Sequence, residues 1–136
     1  MPILVEPRSA RIERGSAMSA SLYERLGGAE GIFRIASDTV DLHLKNPLIG
    51  PRFQRADPKT VKQTVADFFI TGSGGPQVYK GKDMVTAHRG MNISDNEFMA
   101  AVDDVMAALT ASKAGDQEKA EVLYIFYSLR PQVVRI

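Results

Sequence analysis

Two histidines, His43 and His88, are the residues of this 136-residue chain best suited to bind a metal ion or to transfer a proton near neutral pH. The chain has no cysteine, which excludes disulfides, thiolate metal sites and cysteine nucleophiles. Two histidines are too few for a zinc site built from three or four histidine-type ligands. A metal bound by this chain must therefore take histidine or oxygen ligands.

The composition argues against several other classes of function. A net charge of +1 does not favour binding to nucleic acid or to an anionic membrane surface. The apolar runs fall short of the roughly 20 residues that span a bilayer, and the first residues lack the pattern of a secretory signal. We therefore expect a cytoplasmic protein without a nucleic-acid or membrane partner, and the length suits a single domain.

Helix signals place His43 on a long helix in the first half of the chain. Ser21 and Glu24 have the spacing of a capping box, and Gly27-Gly28 ends that short first helix. From about Ala29 to Lys45, apolar residues then recur every three or four positions, as expected for one face of a helix. Asn46-Pro47 ends this helix. Its apolar stripe consists of Ile32, Ile35, Ala36, Thr39, Val40 and His43.

The second half of the chain predicts further helices, one of which carries His88. Asp57-Pro58 predicts a helix start, and the glycine-rich segment from Thr71 to Gly81 predicts a flexible connector. A short helix over Lys82–Arg89 follows, and Gly90 supplies its left-handed end. Later signals for two more helices are a capping box at Ser94 and Glu97, a break at Gly115-Asp116, and an apolar stripe from Val122 to Val133 that contains Pro131.

No segment alternates with period two for long, so the pattern indicates an all-α domain of five to seven helices, two of them short. We expect residues 1–20, which are of mixed charge, to form an N-terminal tail and residues 21–136 to form the domain. We expect the tail to be dispensable for folding because it precedes the first capping box.

Several of these segments stand in an order and spacing that resembles the group I truncated haemoglobins. They are SLYERLGG at 21–28, NP at 46–47 followed by Phe53, GGPQVYKG at 74–81, and AHRGMNIS at 87–94 followed by Phe98. The resemblance extends from about Ser21 to Val134. It implies a truncated globin fold, a sandwich of two helices over two, with haem b as the cofactor and diatomic gases as ligands.

The resemblance also implies roles for individual residues. His88 becomes the proximal iron ligand, with its second ring nitrogen held by a free carbonyl of its short helix. Without the resemblance, a histidine at a helix C-terminus is explained by the helix dipole alone. Phe53 would pack on the distal side of the porphyrin, and ordinary core packing is the alternative for this residue and for the other lining residues. Those lining residues are Val61, Val65, Phe68 and Phe69 over the distal face, and Met84, Phe98 and Phe126 elsewhere. Lys82 and Arg89 are weaker candidates for pairing with the haem propionates.

The chain departs from the family at the positions that usually donate hydrogen bonds to bound oxygen. Thr39 and Val40 stand where oxygen-avid members carry Phe-Tyr, and Val61 and Val65 occupy distal positions of which the second often holds glutamine. We therefore expect an apolar distal pocket that stabilises oxygen poorly. Three roles stay open for His43: packing in the core or bonding a backbone carbonyl, donating or gating in the distal pocket, and binding iron as a sixth ligand. The hydroxyls of Thr39 and Thr64 are further possible donors, although threonine usually bonds its own helix.

These observations favour a haem globin that binds O2, CO and NO as a sensor, store, scavenger or oxygen transporter, with an unidentified reductase as a possible partner. The alternative is an enzyme, a nitric oxide dioxygenase or a weak peroxidase acting at the haem. A third hypothesis, a globin shell that has lost its haem, leaves His88 without a purpose.

Overall fold

The computed structural model describes residues 20–136, and these form seven α-helices with one 3-10 turn, Gly50–Phe53, between the second and third. The helices are α1 Leu22–Arg25, α2 Gly28–Lys45, α3 Pro58–Gly72, α4 Met84–His88, α5 Asp95–Ala111, α6 Asp116–Ser128 and α7 Arg130–Val133. Within residues 20–136, the only β interaction is a single bridge between Ile93 and Val134. None of the helices in this range is long and apolar enough to cross a membrane. The expected all-α fold is confirmed, while the expected tail lies outside the described residues except for Ala20.

Local sequence signals set the ends of most helices. Both predicted capping boxes form: the hydroxyls of Ser21 and Ser94 each accept a backbone N–H, and the glutamate three residues later accepts the N–H of the serine. Gly27, with a φ of 99°, separates α1 from α2 in a backbone conformation that side chains with a Cβ rarely adopt. Asp57 is the N-cap of α3 and Pro58 its first residue, which confirms the predicted helix start, although the Asp57 carboxylate accepts the Thr60 hydroxyl at 2.9 Å and no backbone N–H of α3.

Two helix pairs form the sandwich. α2 packs against α3 and against α5, and α5 packs against α6, which is the two-over-two arrangement. The predicted stripe of α2 is buried from Ile32 to Val40, and the Thr39 hydroxyl donates to its own helix, to the Ile35 carbonyl at 2.8 Å. The main apolar core, which we name the first cluster, consists of Leu22, Leu26, Ile32, Ile35, Phe69, Ile70, Val105, Ala108, Leu109 and Val122.

A smaller apolar cluster lies beside α4 and the C-terminus. This second cluster consists of Ile93, Phe98, Val102 and Val133. The segment predicted as one last helix forms two, since α6 ends at Ser128 and α7 begins at Arg130. Pro131 lies in the first turn of α7, where backbone N–H groups make no hydrogen bond within the helix, so the N–H that proline lacks is not missed there. Three helices of the described chain are therefore short, where we expected two. The break turns α7 back against α4, so that Val133 closes the second cluster.

Candidate functional site

The short helix α4 holds His88 at its C-terminal end. The Asp83 carboxylate accepts the backbone N–H of Thr86 at the start of the helix, and hydrogen bonds from Thr86 hold the pKa of Asp83 below its usual value. Gly90 follows with a φ of 85°. His88 is half-buried, and its Nδ1 lies 2.8 Å from the carbonyl oxygen of Met84. A carbonyl only accepts, so Nδ1 donates, and in the neutral ring the free lone pair is on Nε2.

The connector before α4 is more ordered than its glycine content suggested. The Thr71 hydroxyl accepts the backbone N–H of Tyr79, at 3.0 Å, and that of the residue before it. The Tyr79 hydroxyl donates to the Lys82 carbonyl at 2.6 Å. A Cβ on Gly75 would lie 2.5 Å from a ring atom of Tyr23. Glycine in this connector therefore permits close packing of an aromatic ring, and the start of α4 is held by specific bonds.

Aromatic side chains from α3 and α6 come together next to the connector. The Phe69 and Phe126 ring centroids are 5.0 Å apart, and those of Phe68 and Phe126 are 6.5 Å apart. Phe68 also makes an edge-on contact with Tyr79 at 5.4 Å. Phe69 is 6% exposed, so it belongs to the closed core, whereas Phe68 and Phe126 are half-buried. Two of the predicted lining residues thus keep part of their apolar surface open.

The remaining predicted lining residues lie on α3, α4 and α5. Val61 and Val65 are half-buried on α3, and Val65 packs against the first cluster. Met84 is half-buried on α4 and packs against the second cluster, in which Phe98 is 6% exposed. Phe126 packs against both clusters. The two clusters, joined through Phe126, therefore bring most of the predicted lining residues of α3, α4, α5 and α6 together, while Phe53, Val61 and His88 belong to neither cluster.

Phe53 ends the 3-10 turn, and its ring stacks on the ring of His43. The two ring centroids are 5.7 Å apart, with 23° between the planes. His43 Nδ1 lies 2.8 Å from Asp104 Oδ2, so the partner of this ring is a carboxylate of α5 and not the backbone carbonyl considered as one alternative. The same oxygen accepts from Asn46 Nδ2 at 3.3 Å. Sequence reasoning missed Asp104, because nothing near it in the chain indicates a partner 61 residues away.

A second contact with α5 lies directly beside Phe53. The Arg52 guanidinium pairs with both carboxylate oxygens of Glu97, through Nε to Oε2 and through a terminal nitrogen to Oε1 at 3.1 Å. The bonds from Arg52, followed by the backbone bond from Ser94, lower the pKa of Glu97 to about 2. The sequence predicted Glu97 only as a capping residue. It also joins the 3-10 turn to the start of α5.

Replacing Glu97 with glutamine tests this ion pair, because glutamine keeps the size and the capping acceptor but not the charge. At pH 7 we expect a loss of about 1 kcal/mol in the free energy of unfolding, the upper range for a partly exposed pair. The pKa of about 2 is below the usual 4.5, so the stabilisation is present above pH 4.5 and is lost as the pH falls toward 2. The difference in urea midpoint between wild type and variant should shrink over that interval. A difference independent of pH would mean that the charge of Glu97 contributes nothing.

The histidine and carboxylate side chains of the described residues suit the binding of haem iron better than that of a free metal ion. Within residues 20–136, no group of three or more histidine, cysteine, aspartate or glutamate side chains could hold a metal. A porphyrin supplies four nitrogens itself and needs one axial ligand, for which a neutral imidazole held through its other nitrogen is suited. Lys82 and Arg89, the candidates for propionate pairing, are both exposed.

Comparison with known proteins identifies the family. The pattern of the family described as bacterial-like globin matches residues 21–134. A group 1 truncated haemoglobin of Tetrahymena pyriformis is 37% identical over 95 residues, which cover 65% of this chain and 74% of that protein.

Solved structures agree with this assignment. The structure of a truncated haemoglobin from Tetrahymena pyriformis in the Fe(III) form matches with a TM-score of 0.83 and 26% identity, covering 86% of this chain and all of that one. The 2/2 haemoglobin of Synechococcus sp. PCC 7002, solved in the cyanomet state with covalently attached haem, gives a TM-score of 0.77 at 26% identity over 83% of this chain and 95% of that one. The chain belongs to the bacterial-like globins as a group 1 truncated haemoglobin with haem iron as its cofactor.

Proposed function

We propose that this globin binds the diatomic gases O2, CO and NO at a haem whose iron is ligated by His88. The observation that carries the proposal is the bond from His88 Nδ1 to the Met84 carbonyl at 2.8 Å. This bond sets the tautomer with a free lone pair on Nε2 and fixes the ring orientation, which is how proximal histidines are prepared for iron. Haem iron supplies the open coordination position at which such gases bind.

The positions of the half-buried apolar side chains favour a porphyrin site between α3 and α4. In this proposal Phe53, Val61, Val65, Phe68, Met84 and Phe126 contact the macrocycle, since each keeps part of its surface open. Phe69 and Phe98, each 6% exposed, support the lining mainly from behind. Covering apolar surface contributes about 25 cal/mol per Å². A flat apolar cofactor is therefore bound mainly by this lining, and His88 determines where its iron lies.

The distal side is proposed to lack hydrogen-bond donors. Val40, Val61 and Val65 carry none, and Thr64 is exposed. The Thr39 hydroxyl already donates to the Ile35 carbonyl, and His43 Nδ1 already bonds Asp104. Oxygen becomes polarised when it binds and gains from a donor, whereas carbon monoxide gains little. We therefore expect a high ratio of carbon monoxide to oxygen affinity.

The test is spectroscopic and uses the wild-type chain. Titration with haemin should end at one haem per chain with a Soret band near 400 nm, as expected for a b-type haem. After reduction, carbon monoxide should bind, and oxygen should dissociate fast and leave oxidised iron. Failure to take up haem stoichiometrically would refute the proposal.

Nitrate yield separates gas binding from the enzymatic alternative. Oxygenated protein mixed with nitric oxide should give little nitrate beyond one turnover if the chain is only a binding protein. Sustained, stoichiometric nitrate formation in the presence of a reductant would instead identify a nitric oxide dioxygenase.

A further inference from the structure

We propose that Asp104 and His43 are positioning residues that set the location of the Phe53 ring. The inference rests on the proposed function to the extent that Phe53 contacts haem there. It assigns roles to two side chains that the gas-binding proposal leaves unused. Both are well covered, with 12% of the His43 side chain and 14% of the Asp104 side chain exposed.

Asp104 on α5 first fixes the orientation of His43 on α2. An ionised carboxylate only accepts, so the 2.8 Å contact between His43 Nδ1 and Asp104 Oδ2 requires a proton on Nδ1. A bond to a charged acceptor is strong and directional. The imidazole plane is therefore fixed by a residue of another helix, and Nδ1 is not available to a ligand or to iron.

The imidazole of His43 in turn positions Phe53, the last residue of the 3-10 turn. The Phe53 ring lies nearly parallel to the His43 ring, with 5.7 Å between centroids. Offset stacking of this kind fixes the position of one ring relative to the other. The orientation that Asp104 imposes on His43 is thus passed to Phe53.

The chain between α2 and Phe53 is held by the same carboxylate. Asn46 donates to Asp104 through Nδ2, and its Oδ1 accepts the backbone N–H of Leu48 at 3.0 Å. Gly50 lies so close to α2 that a Cβ there would be 2.9 Å from the Leu44 carbonyl oxygen. The position of the loop that carries Phe53 therefore depends on the position of the C-terminal end of α2, which Asp104 holds through its bond to Asn46.

Asp104 and Glu97, the partner of Arg52, both hold the Phe53 region from the same face of α5. Glu97 and Asp104 are seven residues apart on α5, which is two helical turns and places both on one face. Glu97 fixes the residue before Phe53. Asp104 acts on the ring itself through His43, so its loss should move the ring while the turn stays attached to α5.

The test compares haem dissociation from the haem-loaded protein to an excess of a haem-scavenging apoprotein. The Asp104→Leu and His43→Leu variants should each lose haem about fivefold faster, and the double variant no faster than either, since coupled residues are not additive. Asp104→Asn keeps an acceptor oxygen and should restore nearly the wild-type rate. Asp103→Leu removes the neighbouring, exposed carboxylate and serves as the matched control, with a change below about twofold.

Nuclear magnetic resonance supplies a readout that does not depend on haem loss. Nuclear Overhauser effects between the Phe53 and His43 rings should be present in the wild-type carbon monoxide complex and shifted or lost in Asp104→Leu. Unchanged ring contacts in that variant, or effects of the two single variants that multiply in the double variant, would overturn the proposal. If the protein takes up no haem, the proposed function fails, but the same ring contacts measured without haem still decide the positioning role.

Discussion

The His88→Gly variant should lose stable haem binding. Both histidines have Nδ1 engaged, but only His88 stands in the segment that the family resemblance assigns to the iron ligand, and glycine removes its Nε2. We expect an affinity at least about a hundredfold lower, which corresponds to about 2.8 kcal/mol. The measurement is haem content and the Soret band after purification, followed by haemin titration.

Imidazole addition and the second histidine provide the controls. Free imidazole can enter the space left by the side chain, so its addition should restore a bound haem spectrum in His88→Gly. His43→Leu should retain stoichiometric haem, because its expected effect, about fivefold faster haem loss, is much smaller than that of His88→Gly. Unchanged haem retention and spectra in His88→Gly would refute the assignment of the proximal ligand.

The Val40→Tyr variant should slow oxygen dissociation at least about tenfold. It restores the hydroxyl that oxygen-avid members of the family carry at this position of the long helix. A hydrogen bond to a polarised ligand in an apolar pocket contributes about 1–3 kcal/mol, and 1.4 kcal/mol corresponds to a factor of ten. Carbon monoxide affinity should change much less. Stopped-flow displacement of oxygen by carbon monoxide measures the effect.

The matched control for this variant is Val40→Phe. Val40 is fully buried, so both larger rings should cost about 1–3 kcal/mol of stability through overpacking. Only tyrosine adds a donor, and the ratio of oxygen dissociation rates between the two variants isolates the hydroxyl. Equal slowing by phenylalanine would show that ring size, and not a hydrogen bond, determines the rate.

His43→Leu decides between the apolar pocket and a distal histidine. In the proposed arrangement His43 is engaged by Asp104 and Phe53, so oxygen dissociation should change little, by less than about threefold. If the wild type already releases oxygen slowly and this variant accelerates release strongly, His43 is the distal donor and the pocket is not apolar.

The predictable parts of the fold are those encoded within a few residues. The capping boxes at Ser21 and Ser94, the break at Gly27 and the buried stripe of α2 each depend on neighbours within one or two helical turns, and all four are confirmed. The helix break near Pro131 was less accessible, because the apolar stripe continues through it to Val133.

The parts that escaped prediction depend on residues far apart in the chain. Arg52 and Glu97 are 45 residues apart, and His43 and Asp104 are 61 apart. Each of these residues has an unremarkable local explanation, as a surface charge, a cap or a stripe member. The packing of α2 against α5 brings His43 to Asp104, and the 3-10 turn, which packs against α2, brings Arg52 to Glu97.

The contact between Gly75 and the Tyr23 ring has a consequence for local stability. α4 has five residues, too few for an isolated helix to persist in water, so its order is supplied by neighbours. Tyr23 also donates its backbone N–H to the Ser73 carbonyl at 2.9 Å, which joins the first turn of the domain to the connector. In hydrogen-exchange terms, α1, the connector and α4 should open together as one cooperative unit. With His88 as the proposed iron ligand, the rate at which the first helix of the domain opens would then limit how long the iron stays ligated.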